Sequence, residues 1–392
     1  MEAQSEPPQR GFPVSEFEER TARAQRLMAE TSLDALLLTT EPEFRYFSGF
    51  LSQFWESPTR PWFLIVPAAG KPIAVAPEIG AAGLDATWLD DIRTWPAPRP
   101  ADDGVGLLVD ALKGLATVHG RIGVPMGAET HLRMPLGDYT RLRDRLPGTD
   151  IIDAAPLVRS LRMTKSEREI DKIRHACLIA SDAFAALPEQ ARTGMSEREI
   201  CRALKIDLLA RGADAVPYLI AGSGPGGYDS IIMGPTDRTL AGGDLLIIDT
   251  GATFDGYFCD FDRNFAFGEI DGDARRAHDT VYRATEAGLA AARPGVAAEA
   301  VWQAMWTVLE AGGAKGNDVG RSGHGLGMQL TEPPSLMPSD ETVLEAGMVI
   351  TLEPGMTFQP GKLMVHEENI VIRDGKPELL SRRAPTEMPV IG

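Results

Sequence analysis

Hydrophobic and polar positions along this chain follow two periods. From Phe17 to Glu30 apolar residues recur at helical spacing, and Leu33 to Thr39 is a short unbroken apolar run of the kind that forms a buried strand. Trp62 to Val66 and Pro72 to Ala76 read as strands around the turn Ala68-Ala69-Gly70-Lys71. Gly106 to Leu115 and Tyr139 to Leu146 are helical, with the strand Ile122 to Pro125 between them. Pro42, Pro58 and Pro61 punctuate the chain as turns, and residues 1–13 are polar and proline-rich, a loose arm. Strands alternating with helices up to about Asp153 predict an α/β first domain, residues 1–157.

Residues 158–392 have another rhythm. Ser166-Glu-Arg-Glu169 and Ser196-Glu-Arg-Glu199 are capping boxes, each opening a helix. A second helical pair, Ala274 to Ala292 and Ala298 to Ala311, is divided by Arg293-Pro294-Gly295. The order is helix pair, acid-bearing strands, helix pair, acid-bearing strands. Such a repeat predicts an α+β domain whose sheet has two related halves meeting at the acids.

Composition bounds the function without naming it. The chain has 392 residues, 43% hydrophobic and 24% charged, as in an ordinary globular protein. A net charge of −17 argues against nucleic acid and anionic membrane surfaces as partners. The three cysteines, Cys177, Cys201 and Cys259, are far apart and odd in number, which suggests a reducing compartment without a disulfide framework. The segment MEAQSEPPQRGFPVSEFEER lacks a basic-then-apolar signal pattern, and no run approaches a membrane span, so a cytoplasmic protein is expected.

The chemistry concentrates between Asp249 and Glu367. Asp249 follows Leu245 to Ile248, Glu353 follows Met348 to Leu352, and Glu367 and Glu368 interrupt the run Leu363 to Ile372. Carboxylates buried in such runs are costly unless something positive compensates them. No lysine lies inside these runs and only Arg263 is near, so bound metal is the expected compensation. Gly251 and Gly256, between Asp249 and Asp260, suit a tight hairpin that would set the two acids side by side. His324 stands between Gly323 and Gly325, clear of bulky neighbours. Singly, each of these residues is as readily a turn, cap or core residue. Together, four carboxylates and one imidazole match two divalent ions of the Mn, Co, Zn or Fe kind. Two such ions about 3.5–4 Å apart would activate a bridging water and polarise a substrate oxygen.

The order Asp, Asp, His, Glu, Glu in these contexts resembles the pita-bread metalloenzymes: aminopeptidase P, prolidase, methionine aminopeptidase and creatinase. The resemblance covers about Leu161 to Leu380, and the first domain is similar to the creatinase-type N-terminal domain. It implies a pseudo-two-fold, curved antiparallel sheet covered by helices. It also implies a metallohydrolase cleaving a dipeptide or small amide, and a homodimer. By the same resemblance Asp249 would hold one metal, Asp260 and Glu367 would bridge both, and His324 and Glu353 would hold the other. Glu353 would also shuttle protons, and Glu368 would be an acid that is not a ligand.

Some positions depart from the pattern. The peptidases place a substrate-binding histidine where Ile232 stands and a second one where Thr331 stands. Val365 replaces a frequent arginine and Asp262 a usual threonine. These four positions are candidate substrate-pocket residues. The changes keep open an alternative: a pita-bread metalloenzyme acting on a small zwitterion, such as a dimethylsulfoniopropionate lyase or an osmolyte amide hydrolase. Asp262 shares a face with Asp260 and is a further candidate near the metal, whereas strand alternation turns His366 away. His119, His131, His175 and His278 read as structural or solvent-facing, and Trp88 and Trp95 as core. Trp55 and Trp62, beside Glu56 and Arg60, read either as core or as a stretch reaching a neighbouring site to hold a cationic or zwitterionic ligand. Gly222 to Gly227 fits G-x-G-x-x-G, but YDSIIM after it reads as a strand, where a dinucleotide loop needs a helix.

Overall fold

The computed structural model describes residues 6–57, 60–316 and 320–392, so Pro58 lies outside the described residues. The chain divides into two compact units, one holding Gln9–Arg162 and the other Met163–Gly392.

The first unit runs α1 (Val14–Glu30), β1 (Ala35–Leu38), α2 (Glu41–Ser48), β2 (Phe63–Pro67), β3 (Ile73–Pro77), α3 (Ala81–Asp85), β4 (Asp91–Trp95), α4 (Val105–Leu115), β5 (Arg121–Val124), α5 (Leu136–Asp144), β6 (Asp150–Asp153) and α6, which begins at Ala155. Its mixed sheet has the order β4-β3-β2-β1-β5-β6. The β1–β2 and β2–β3 pairs are antiparallel; the β3–β4, β1–β5 and β5–β6 pairs are parallel. Leu37, Phe63, Val75 and Ile122 share a core with Leu108, Leu112 and Leu142 of α4 and α5. Pro42 is not in a turn. It occupies the first turn of α2, where a backbone N–H is not needed.

The second unit repeats itself. Helices α7 (Glu167–Gln190) and α8 (Glu197–Ala210) precede β7 (Leu219–Pro225), β8 (Asp244–Thr250), the short pair β9 (Thr253–Phe254) and β10 (Tyr257–Phe258), and β11 (Phe261–Phe267). Helices α9 (Gly272–Ala291) and α10 (Ala298–Ala311) precede β12 (His324–Gly325), β13 (Glu332–Ser335), β14 (Val349–Leu352), the pair β15 (Gly355–Gln359) and β16 (Lys362–Val365), and β17 (Glu368–Val371). Strands β18 (Glu378–Leu379) and β19 (Val390–Ile391) follow. Both expected capping boxes are formed, at Ser166 with Glu169 and at Ser196 with Glu199.

The two halves make sheets of order β19-β11-β8-β7 and β13-β12-β14-β17-β18. In each half a strand leads into a two-stranded excursion and returns beside itself: β8 pairs antiparallel with β11 across β9–β10, and β14 with β17 across β15–β16. Asp249 is the next-to-last residue of β8 and Glu353 directly follows β14, while Asp260 and Glu367 immediately precede the returning strands. The repeat therefore superposes Asp249 on Glu353 and Asp260 on Glu367 in topology.

Three local expectations change. Asp249 and Asp260 are not joined by a tight hairpin, because β9–β10 intervenes. Its turn uses Asp255 and Gly256 at positive φ. Gly251 serves a close approach instead, since a Cβ there would meet the Tyr218 ring at 2.5 Å. Next, 228–233 forms no strand beyond a single bridge from Tyr228 to Leu363, and Ile232 and Met233 are 78% and 61% exposed. Finally, Asp249 lies within β8, still paired with Ile220 and Asp262, whereas Asp260, Glu353 and Glu367 lie just outside the ends of their strands. The G-x-G-x-x-G run lies mainly in β7 with no helix behind it, as the sequence context indicated.

Candidate metal centre

Ladder pairing places Asp262, not Asp260, opposite Asp249. Asp260, one step before β11, is fixed by Asn369. The Asn369 side chain accepts from the Asp260 N–H at 2.9 Å and donates through Nδ2 to the Asp260 carbonyl. Asn369 is fully buried and its own N–H donates to Ser381 Oγ at 3.0 Å. One amide side chain thus ties the first half of the repeat to the second. Sequence reasoning missed it, because an asparagine after two glutamates carries no local signal of a partner 109 residues away.

Ligand-type atoms of Asp260, His324 and Glu367 all lie within 4.8 Å of one another. His324 Nε2 is 3.3 Å from Asp260 Oδ2 and 3.6 Å from Glu353 Oε1. The His324 ring is oriented by Nδ1, 2.9 Å from the Gly325 carbonyl, and its backbone N–H donates to Thr351 Oγ1 at 3.0 Å. Asp249 joins the cluster through Tyr218, whose hydroxyl lies 2.7 Å from Asp249 Oδ1 and also bonds Asp260 Oδ1. Tyr218 is the second residue that the sequence did not announce.

The electrostatics are those of crowded acids. Burial, then the Asp260 charge, holds the Asp249 carboxyl well above the usual carboxylate range. Burial, then Asp260, Glu353 and Asp249, does the same to Glu367. Burial carries Glu353 to about 7, with the His324 charge opposing and the Asp260 charge adding to it. Burial alone would lower His324, but the Glu353 and Asp260 carboxylates win and raise it to about 9. Asp262 is raised to about 8, first by burial, with Arg263 opposing. Among the described residues no lysine or arginine forms an ion pair with Asp249, Asp260, Glu353 or Glu367. Glu367 Oε1 is buried without a hydrogen-bond partner. A divalent cation answers both the stacked charge and the orphaned oxygen, and oxygen donors with one imidazole suit a first-row ion.

Glu368, one residue on, is compensated differently. Its carboxylate takes Arg263 Nη2 at 3.0 Å, Arg383 Nη1 at 3.2 Å and the Ala384 N–H at 2.8 Å. Arg383, far along the chain, was not part of the sequence argument. His366 lies with that network, bonded to Thr285 Oγ1 at 2.9 Å and Arg383 at 3.0 Å. Of the remaining candidates, Val365 is buried, Thr331 is half-buried and Ile232 is exposed. Trp55 and Trp62 are buried in the first unit, their rings 5.8 Å apart and packed on Phe44. All three cysteines are free and buried.

Comparison with known proteins agrees with this architecture. The model of metallopeptidase family M24 matches residues 171–374, and that of the creatinase/prolidase N-terminal domain matches residues 20–164. The chain belongs to metallopeptidase family M24, whose members are metallohydrolases that use a divalent metal. It is 31% identical to the probable dipeptidase PepE of Mycobacterium tuberculosis, over 97% of this chain and 98% of that one. It is 26% identical to an Xaa-Pro dipeptidase of Pyrococcus horikoshii, over 92% and 96%. Among solved structures, dipeptidase PepE from Mycobacterium ulcerans superposes with a TM-score of 0.85 at 29% identity, covering 97% and 99% of the two chains. A recombinant prolidase from Thermococcus sibiricus gives 0.85 at 25%, covering 95% and 99%. Among the described residues, no helix is long and apolar enough to cross a membrane.

Proposed function

We propose that this protein hydrolyses a dipeptide or a small peptide-like amide, with two divalent cations held by Asp249, Asp260, His324, Glu353 and Glu367. One observation carries the reading. In a metallopeptidase chain, these acids and one imidazole converge without a lysine or arginine ion pair among the described residues, and Glu367 Oε1 is left buried and unbonded. Resemblance assigns Asp249 to one cation, His324 and Glu353 to the other, and Asp260 and Glu367 to both. Bound there, the cations supply an acidified water and a polarised substrate carbonyl. Mn, Co, Zn and Fe all fit the donor set.

The chain's own residues do the rest. By the same resemblance Glu353 would also shuttle a proton; without metal, burial raises its carboxyl to about 7. Tyr218 and Asn369 hold Asp249 and Asp260 in place. Asp262, Thr331, Val365 and Ile232 are the candidates for shaping the substrate pocket. Trp55 and Trp62, buried against Phe44, fit the core reading better than a contact with substrate; a homodimer in a cytoplasmic setting stays part of the proposal. The relatives named above are peptidases by name, which supports the amide reading over lyase chemistry.

The test is a substrate panel on metal-loaded protein: Xaa-Pro dipeptides, other dipeptides, acyl-amino compounds and dimethylsulfoniopropionate, each with Mn, Co, Zn and Fe. Dipeptide turnover by the wild type that disappears in Asp260→Ala is expected. Turnover of dimethylsulfoniopropionate alone would overturn the proposal.

A further inference from the structure

The sheet of the second unit carries chemistry on both faces. Along β11, alternation sends Asp262 and Asn264 to one side and Phe261, Arg263 and Phe265 to the other. On that other side Phe261 and Phe265 lie 5.6 and 6.4 Å from the Phe184 ring of α7. The 366–368 stretch divides the same way. Glu367 belongs to the metal centre, and His366 and Glu368 reach Arg383. A cavity of about 350 Å³ lies on this second side, walled by α7, α9, β11 and residues 382–389.

Most of its open surface is apolar, although Ser181, His366 and the Asp262–Asn264 segment of β11 also border it. Phe184, Pro188, Phe265 and Pro389 form walls, with His278 and Arg383 among the polar groups. Every guanidinium there already has a carboxylate: Arg263 with Glu368 at 3.0 Å, Arg382 with Asp182 at 2.7 Å, Arg383 with Glu286 at 2.8 Å. The cavity therefore offers no spare positive charge to an anion. His278 differs from its neighbour His366. It is only 6% exposed, yet no hydrogen bond to its ring is made among the described residues. Burial, first of all, depresses it to about 4, so at neutral pH the imidazole has one donor and one acceptor to give. With no partner among the described residues, the ring nitrogens are accessible from the cavity, where a guest can take the place of water.

We propose that this cavity binds a small uncharged molecule, one ring or branched apolar body carrying a single hydrogen-bonding group, with His278 as the polar contact. The volume is roughly twice that of a ~150 Å³ apolar cavity that holds benzene, which sets the size of the guest. The cavity is separate from the metal centre but not isolated from it. Arg263, part of its lining, donates through Nη1 to the main-chain carbonyls of Asp262 at 2.6 Å and Glu367 at 2.9 Å.

The experiment titrates indole and benzyl alcohol, with benzoate as the charged control, into full-length metal-loaded protein by calorimetry and ligand-observed NMR. Two variants accompany the wild type: Ala185→Trp, which plugs the wall, and His278→Phe, which keeps a ring but removes its nitrogens. Metal content of both variants is measured to verify folding. The expected result is one saturable site for the neutral probes, lost in Ala185→Trp and weakened about tenfold in His278→Phe. Absence of saturable binding, binding unchanged in either variant, or benzoate binding more tightly than benzyl alcohol would overturn the proposal.

Discussion

Tyr218 spans Asp249 and Asp260 with one oxygen, 2.7 Å from the first carboxylate and in short hydrogen-bond contact with the second. A phenol has one proton to give, so the two acids share a single donor. Burial, then the Asp249 and Asp260 charges, pushes the phenol well above its usual range, which keeps it protonated. Tyr218→Phe retains the ring and removes the donor. Groups that orient ligands in this way are typically worth about 10- to 100-fold in metal affinity or activity. We expect a loss of that size in metal titrations and in kcat, with the unfolding midpoint of the metal-loaded protein lowered by the matching linkage.

Chelation should abolish hydrolysis and also make stability strongly pH-dependent. The sign follows from the acids. Glu353 rises from 4.5 to about 7 on folding, so the folded protein holds a proton that the unfolded chain has released. Its stabilising effect is complete below about 4.5 and is lost as pH rises through about 7. His324, raised from 6.5 to about 9, acts in the same direction over a higher window. Thermal unfolding of chelated protein should therefore show Tm falling from about pH 4.5 upward. Glu353→Gln should flatten the lower part of that curve, and added Mn or Zn should reverse the fall.

Arg263 is the main test of the charge network on the far face. Glu368 is fully buried and paired with Arg263 and Arg383. Removing Arg263 leaves Glu368 with Arg383 and the Ala384 N–H, so the cost should stay below the roughly 3–5 kcal/mol of a fully stranded buried charge. Arg263→Met should lower the urea midpoint accordingly, and Arg263→Met/Glu368→Gln should recover part of the loss. A double variant no better than the single one would show that packing, not charge, is at stake.

Thr331 stands where similar peptidases carry a histidine. It is half-buried beside Glu332, which is held by Lys165 at 3.0 Å and the Gln329 N–H at 3.1 Å. Thr331→His should raise kcat/KM for an Xaa-Pro dipeptide by about tenfold or more, in line with the usual worth of a proton donor. Steady-state kinetics across several dipeptides would register it. A drop in activity for every peptide would mean that the pocket is built for something else.

Helices and capping boxes were legible in the sequence because their signals are local: Ser166 and Ser196 announce their helices within four residues. The acids were legible because a carboxylate beside Leu-Leu-Ile-Ile or Met-Val-Ile-Thr-Leu is anomalous by itself. What stayed hidden depends on distant partners. Tyr218, Asn369 and Arg383 are ordinary residues in ordinary contexts, and only the fold brings them to Asp260 and Glu368. The proline at 42 misled for a different reason, since the same residue that ends a helix is welcome in its first turn.

The alternation along β11 restricts how this gene can change in length. Asp262 and Arg263 are adjacent yet serve opposite sides, so inserting or deleting one codon between Asp260 and Asn264 would trade acid for guanidinium on both. The β9–β10 tip is scarcely freer, because Asp255 is pinned to buried Lys172 at 2.7 Å. The β15–β16 tip at Pro360-Gly361 is anchored at its flanks by more exposed contacts, Gln359 to Asp273 and Lys362 to Asp271 at 3.9 Å, so natural variation in loop length around the centre should collect there.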